Sequence, residues 1–219
     1  ALIIRKLFDE YECDYIVLDT NGIGLGVYDA LAQDIVDSDT GEIYPAISCC
    51  NNQEMASRCS SMDAEKVIWS IKANAQFNSD CAYLLREGFK NGRIRLLCNE
   101  YDGEELLGEI KGFSSLNPPE KAQLLLPYIN TTLLIDEITK LQYEENGGKV
   151  KIYERSGMRK DRYSSLAYNY YVAIQLESKM RRRQVNESSV DSMFAIRPPK
   201  YNRKVVSMSS GRNKYPSWV

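Results

Sequence analysis

The run Tyr15-Ile16-Val17-Leu18-Asp19, followed by glycines at every second position (Gly22, Gly24, Gly26), constrains the fold of this chain more than any other stretch. An apolar run without polar alternation is a strand covered on both faces, the habit of parallel sheets. A parallel neighbour needs a crossover, usually helical. The next residues offer one. Val27, Leu31 and Ile35 recur at helical spacing across Val27–Val36, and Ile43–Ser48 reads as a second short strand. Strand, glycine loop, helix and strand make a βαβ unit and point to an α/β fold.

The flanking sequence extends this pattern. Leu2, Ile3, Leu7 and Tyr11 form a helical stripe before the first strand. Residues 49–63 are polar and predict a loop, while 67–75 fits a strand or a helix. Tyr83, Leu84, Leu85 and Phe89 place a helix over 80–90, stopped by Asn91-Gly92. The alternation in 93–97 predicts a strand, and 104–110 a short helix. Asn117-Pro118-Pro119 opens a helix over 120–143, bent or broken near Pro127. Gly147-Gly148 marks a turn, Val150–Tyr153 a strand, and Asp161 the start of the last helix, whose periodicity fades beyond Met180.

Charge divides the chain in two. Residues 179–219 carry ten Lys/Arg against two Asp/Glu, and the rest of the chain is acidic, so the total is only −2. An acidic domain over 1–178 with a basic, disordered tail over 179–219 suits a protein that meets nucleic acid; a solvated tail without a partner is the alternative. No apolar run reaches membrane-span length, and no signal peptide is recognisable. The six cysteines contain no CxxC pair, and the chain has no histidine. Cys13, Cys81 and Cys98 read as small core residues, and a reducing cytoplasm is the expected compartment. Cys49, Cys50 and Cys59 flank the polar loop and are a lesser metal-site candidate.

Without histidine, and without a Ser-x-x-Lys sequence, acyl-transfer schemes lack a base. Two aspartates remain: Asp19 at the tip of the first strand and Asp161 at the start of the last helix. Carboxylates delivered from different elements are how a sheet-and-helix scaffold holds hard divalent cations for phosphodiester cleavage. Taken singly, Asp161 also reads as a helix cap and Asp19 as an ordinary strand-end residue. The glycines have three readings: a phosphate cradle, weakened by G-x-G-x-G spacing and no following Gly-Lys; a tight turn needing positive φ; or clearance beside Asp19 for metal and DNA backbone. Lys160 and Arg162, flanking Asp161, are candidate phosphate contacts or plain surface charge. Tyr163, Tyr168, Tyr170 and Tyr171 read as helix packing.

Three segments carry a family likeness. Ile16-Val17-Leu18-Asp19-Thr20-Asn21-Gly22-Ile23-Gly24 with Tyr28-Asp29-Ala30-Leu31 resembles the middle motif in the nuclease domain of tailed-phage terminase large subunits. Phe77-Asn78, Cys81-Ala82, Leu84-Leu85 and Gly92-Arg93-Ile94 resemble its central segment, and Lys160-Asp161-Arg162-Tyr163-Ser164-Ser165-Leu166-Ala167-Tyr168 its last motif. The resemblance covers about residues 10–180. It implies an RNase H-like mixed sheet flanked by helices and a Mg²⁺- or Mn²⁺-dependent endonuclease that cuts concatemeric double-stranded DNA during phage genome packaging in the bacterial cytoplasm. Asp19 and Asp161 would be its catalytic metal ligands. Lys160, Arg162, Arg181, Arg182 and Arg183 would approach DNA, with the portal protein and small terminase subunit as partners and no membrane. The family's first catalytic aspartate, carried on earlier strands, has no counterpart here, nor does the ATPase motor. The expectation is therefore an N-terminally incomplete domain from a larger protein. A non-catalytic module docking the packaging motor on DNA or portal is the second reading, and a nucleotide-binding domain using the glycine loop a third.

Overall fold

The computed structural model describes residues 1–194, with side chains described through Arg182. Helix α1 (Leu2–Glu10) leads into β1 (Ile16–Asp19), α2 (Ile23–Leu31), the antiparallel pair β2 (Ile35–Val36) and β3 (Ile43–Tyr44), then β4 (Ile47–Cys49), α3 (Gln53–Ala56) and β5 (Glu65–Ile71). The second half holds α4 (Ala75–Lys90), α5 (Glu100–Gly108), a 3₁₀ turn at Phe113–Ser115, α6 (Pro118–Lys140), the hairpin β6 (Gln142–Asn146) and β7 (Lys149–Tyr153), and α7 (Asp161–Phe194).

The fold is mixed α/β around a three-stranded parallel sheet, order β1-β5-β4. The βαβ unit is present, but its strands are not neighbours: β5 inserts between β1 and β4, setting Asp19 opposite Ile71. Both faces of β1 are covered, which is why it carries no polar alternation. Ile16 and Leu18 pack with Tyr28 and Leu31 of α2 and Ile68 of β5. Val17 turns the other way, to Trp69, Ile71 and the Val172, Tyr168 and Tyr171 side chains of α7. Helix α4 lies beside α7, its Cys81 and Leu85 buried against Ala167.

Several expectations needed correction. The strand expected over 43–48 is two, split at Pro45, and its first half pairs with β2 instead of joining the sheet. The polar loop contains α3, capped by the Asn52 side chain. The ambiguous segment 67–75 is the central strand β5. No strand forms over 93–97. Its alternation arises because Ile94 packs on the Cys81 cluster while Arg93 pairs with Glu177 of α7, leaving no strand alongside. Helix α6 runs unbroken through Pro127 and ends at Lys140, since 142–146 is the first arm of a hairpin turning on Gly147 and Gly148, both with positive φ. Cys13 is exposed, not core. The α1 stripe also points outward: Ile3, Leu7 and Tyr11 are exposed, while Ile4 and Phe8 pack inward. Finally, α7 continues to Phe194, across the domain boundary placed at 178/179; residues 195–219 lie outside the described residues.

Candidate functional site at the carboxyl ends of the strands

Open parallel sheets present their strand-end loops together at one edge, where ligands of such folds bind. Here the loops after β1, β4 and β5 are tied to one another by short polar side chains. Thr20 N–H donates to Ile71 O (2.9 Å), and its hydroxyl lies 2.8 Å from that of Ser70. Asn51, past the end of β4, donates to Ser70 O and accepts from Ser70 N–H, both at 2.8 Å, and so extends the ladder by one side-chain rung. Asn21 donates to Ala73 O at 3.1 Å.

Asp19 sits half-buried within this lattice. Its Oδ1 accepts from Asn21 N–H at 3.1 Å and, more weakly, from Ala73 N–H at 3.4 Å. Both bonds fall on Oδ1, and Oδ2 has no hydrogen-bond partner among the described residues. The glycine loop beside it divides the labour. Gly22, at φ 53°, supplies the turn into α2. Gly24 supplies clearance, since a Cβ there would lie 1.7 Å from the Asp19 carbonyl oxygen, and Gly26 faces open space. The N–H groups of Gly24 and Leu25 are already committed to Asn21 O and Gly22 O. The loop therefore turns and clears space, and those two donors are not offered to a phosphate.

Asp161 is exposed in the first turn of α7, where a carboxylate suits the helix dipole. Another residue caps the helix: Glu137 of α6, largely buried, accepts from Tyr163 N–H at 2.8 Å and pairs with Arg162 at 3.6 Å. Lys160 reaches Glu154 at 3.1 Å and Ile152 O at 3.2 Å, and the Glu154 carboxyl is held below its usual range by that ammonium. The two cations flanking Asp161 are thus engaged with carboxylates of this chain. Arg181 pairs with Glu177, Arg182 is exposed, and the Arg183 side chain lies outside the described residues.

Where α7 packs on β1, it brings Tyr168 near Asp19. Burial, and then the Asp19 charge, push the Tyr168 hydroxyl above its usual range, and that hydroxyl donates to Asn78 Oδ1 at 2.9 Å. Seven residues of helix span roughly 10 Å, so Asp161 stands two turns away along nearly the same face. Beside this part of α7 lies a water-sized cavity of about 40 Å³, lined by Asn78, Lys160, Tyr163, Ser164 and Tyr168 and by the apolar Ile152 and Ala167. Cys81 on its wall has its thiol pushed up to about 12 by burial, which removes it as a nucleophile at neutral pH. Cys49 and Cys59 spend their thiols on Asn51 Oδ1 and Ile47 O.

Among the described residues, no three His, Cys, Asp or Glu side chains converge on a metal position. Asp19, with one oxygen held and one free, fits one ligand of a hard cation, a class often bound by one or two carboxylates with waters and phosphate oxygens. Asp161 stands exposed at the start of α7 and shares no hydrogen-bond partner with Asp19 among the described residues. Sequence reasoning did not find Asn21, Asn51, Asn78 or the role of Tyr168. Asn21 and Asn78 stand inside motif-like segments, but only the fold shows that they meet at one edge.

Compared with protein-family models, curated proteins and solved structures, the chain matches none.

Proposed function

We propose that the chain is the nuclease part of a DNA-packaging machine, a metal-dependent endonuclease with an RNase H-like fold that cuts concatemeric double-stranded DNA in the bacterial cytoplasm. The observation supporting this reading is the seat of Asp19: a half-buried carboxylate at the carboxyl end of β1, one oxygen fixed by backbone N–H groups and the other free, with Gly24 keeping the adjoining backbone clear. Asp19 would hold Mg²⁺ or Mn²⁺, with Asp161 as the second carboxylate and a third from strands that the family resemblance places before β1. When bound, such ions activate water and stabilise the leaving oxygen of a phosphodiester. Asn21 and Ala73 orient the Asp19 carboxylate, and Asn78 orients the Tyr168 hydroxyl beside it. Lys160 and Arg162 would reach DNA phosphates by exchanging Glu154 and Glu137 for them, an exchange between charge-assisted bonds of similar strength. Portal protein and the small terminase subunit are the protein partners this reading proposes.

Two measurements separate binding from cutting. Mn²⁺ should broaden the amide resonances of Asn21, Gly22 and Ala73, and Asp19→Asn should abolish that broadening. Plasmid nicking in Mn²⁺ should be lost with EDTA and in Asp161→Ala. If Mn²⁺ leaves those amides untouched, Asp19 is no ligand and the nuclease reading falls. The incomplete carboxylate set favours the second reading, a non-catalytic module docking on DNA or portal. It predicts DNA binding with no nicking, and affinity unchanged in both aspartate variants.

A further inference from the structure

The one buried side chain of α1 is a charged one. Arg5 is 5% exposed, and its Nε and Nη1 are buried with no hydrogen-bond partner among the described residues. Its guanidinium stacks 5.5 Å from the Phe8 ring centre and 5.9 Å from that of Tyr44, while Nη2 stands 3.9 Å from Asp9. Stacking on rings and one distant carboxylate replace little of the hydration such a group loses, and buried donors left unpaired oppose docking. The apolar side chains that could favour docking lie largely on the opposite face. Ile3 is 73%, Tyr11 55% and Leu7 46% exposed, so only Ile4 and Phe8 reach the core. At nine residues the helix is too short to persist by its own propensity.

The joint to β1 is strained as well. Glu12, at φ 47°, is the one non-glycine residue with positive φ among the described residues. Among the described residues one ion pair ties the helix to the body, Lys6 Nζ to the fully buried Asp37 at 2.6 Å.

We propose that α1 is a hinged strap. It opens about Glu12 as a unit, hydrating Arg5 and withdrawing Ile4 and Phe8 from the core cluster on which Ile16 and Leu18 also pack, on the strand whose tip is Asp19. Closed and open forms differ in which half of a two-faced helix meets water, and Lys6–Asp37 is the latch.

Amide hydrogen exchange on the full chain tests this. The amides of Lys6 to Tyr11 should exchange at least a hundredfold faster than those of Ile68 to Ile71, by an opening that leaves β5 protected. Arg5→Met, which removes the unpaired donors and keeps the length, should slow α1 exchange about tenfold or more, and Glu12→Gly should slow it too. Lys6→Gln should speed it without changing β5. If α1 exchanges only at the rate of β5, or Arg5→Met leaves it unchanged or faster, the strap is overturned.

Discussion

At Asp37 a single carboxylate is fully buried among donors. The Lys6 ammonium, the Asp39 N–H at 3.0 Å and the Thr40 hydroxyl at 3.0 Å hold its carboxyl at about 2, well below its ordinary 3.8. A carboxyl with a depressed folded-state pKa binds protons more readily unfolded. Its contribution is therefore complete above about pH 4 and fades as pH falls towards 2. Asp37→Asn should lower the melting temperature at pH 7, and the gap from the parent chain should close between about pH 4 and pH 2. Thermal melts at half-unit pH steps check this, and a gap that stays constant through that window would refute the assignment. The same contact raises the Lys6 ammonium above 10.5, so its contribution is present below that pH and is lost only at higher pH. Nothing in the sequence around Asp37 marks it, since Val36-Asp37-Ser38-Asp39-Thr40 reads as a polar turn. Burial there depends on α1 arriving from thirty residues earlier.

At the scale of elements, glycines set how closely helices approach. In α5, Gly103 faces the buried Tyr128 of α6, and a Cβ there would lie 2.3 Å from the ring's first carbon. That atom is near the root of a fixed side chain and cannot swing aside. Gly103→Ala should therefore destabilise by about 1–3 kcal/mol, as overpacking does. Gly108, at the end of the same helix, has nothing within 4 Å, and Gly108→Ala should gain up to about 1 kcal/mol from backbone entropy. Urea denaturation of both variants against the parent tests the pair, and equal signs would show that α5 and α6 are not packed this way.

Elements were legible where one local signal sufficed. Asn117-Pro118-Pro119-Glu120 gave the start of α6, and the structure adds the reciprocal Asn117–Glu120 capping box. Gly147-Gly148 gave the β6–β7 turn. Elements were misread where the signal depends on a distant neighbour. Residues 93–97 alternate like a strand, but they lie beside a helix. The outward stripe of α1 has helical period and says nothing of which face docks. Asp19 could be placed from its own strand, whereas the tyrosine near it, Tyr168, stands one hundred and forty-nine residues away in the sequence.

For the molecule as a whole, charge is distributed against its sum. The body around Asp19 is acidic, and such a body repels a phosphate backbone, so the proposed function requires that sequence-independent DNA affinity come from the basic end of the chain. Within α7, Arg181 is drawn to Glu177, which already holds Arg93 and whose carboxyl those two arginines keep low. The cations beyond Phe194, namely Arg197, Lys200, Arg203, Lys204, Arg212 and Lys214, have no acidic residue among them. Each that reaches a phosphate releases counterions and adds about 0.9 to the slope of log affinity against log salt. A chain ending at Phe194 keeps the described residues and loses those six charges. On the proposed function it should bind a duplex more weakly at low salt, with a slope smaller by up to about 5. Fluorescence anisotropy of a labelled duplex over a sodium chloride series measures the slope. If it is unchanged, the basic end takes no part in any DNA binding measured, and the proposed contacts narrow to the cations of α7 and to Lys160 and Arg162.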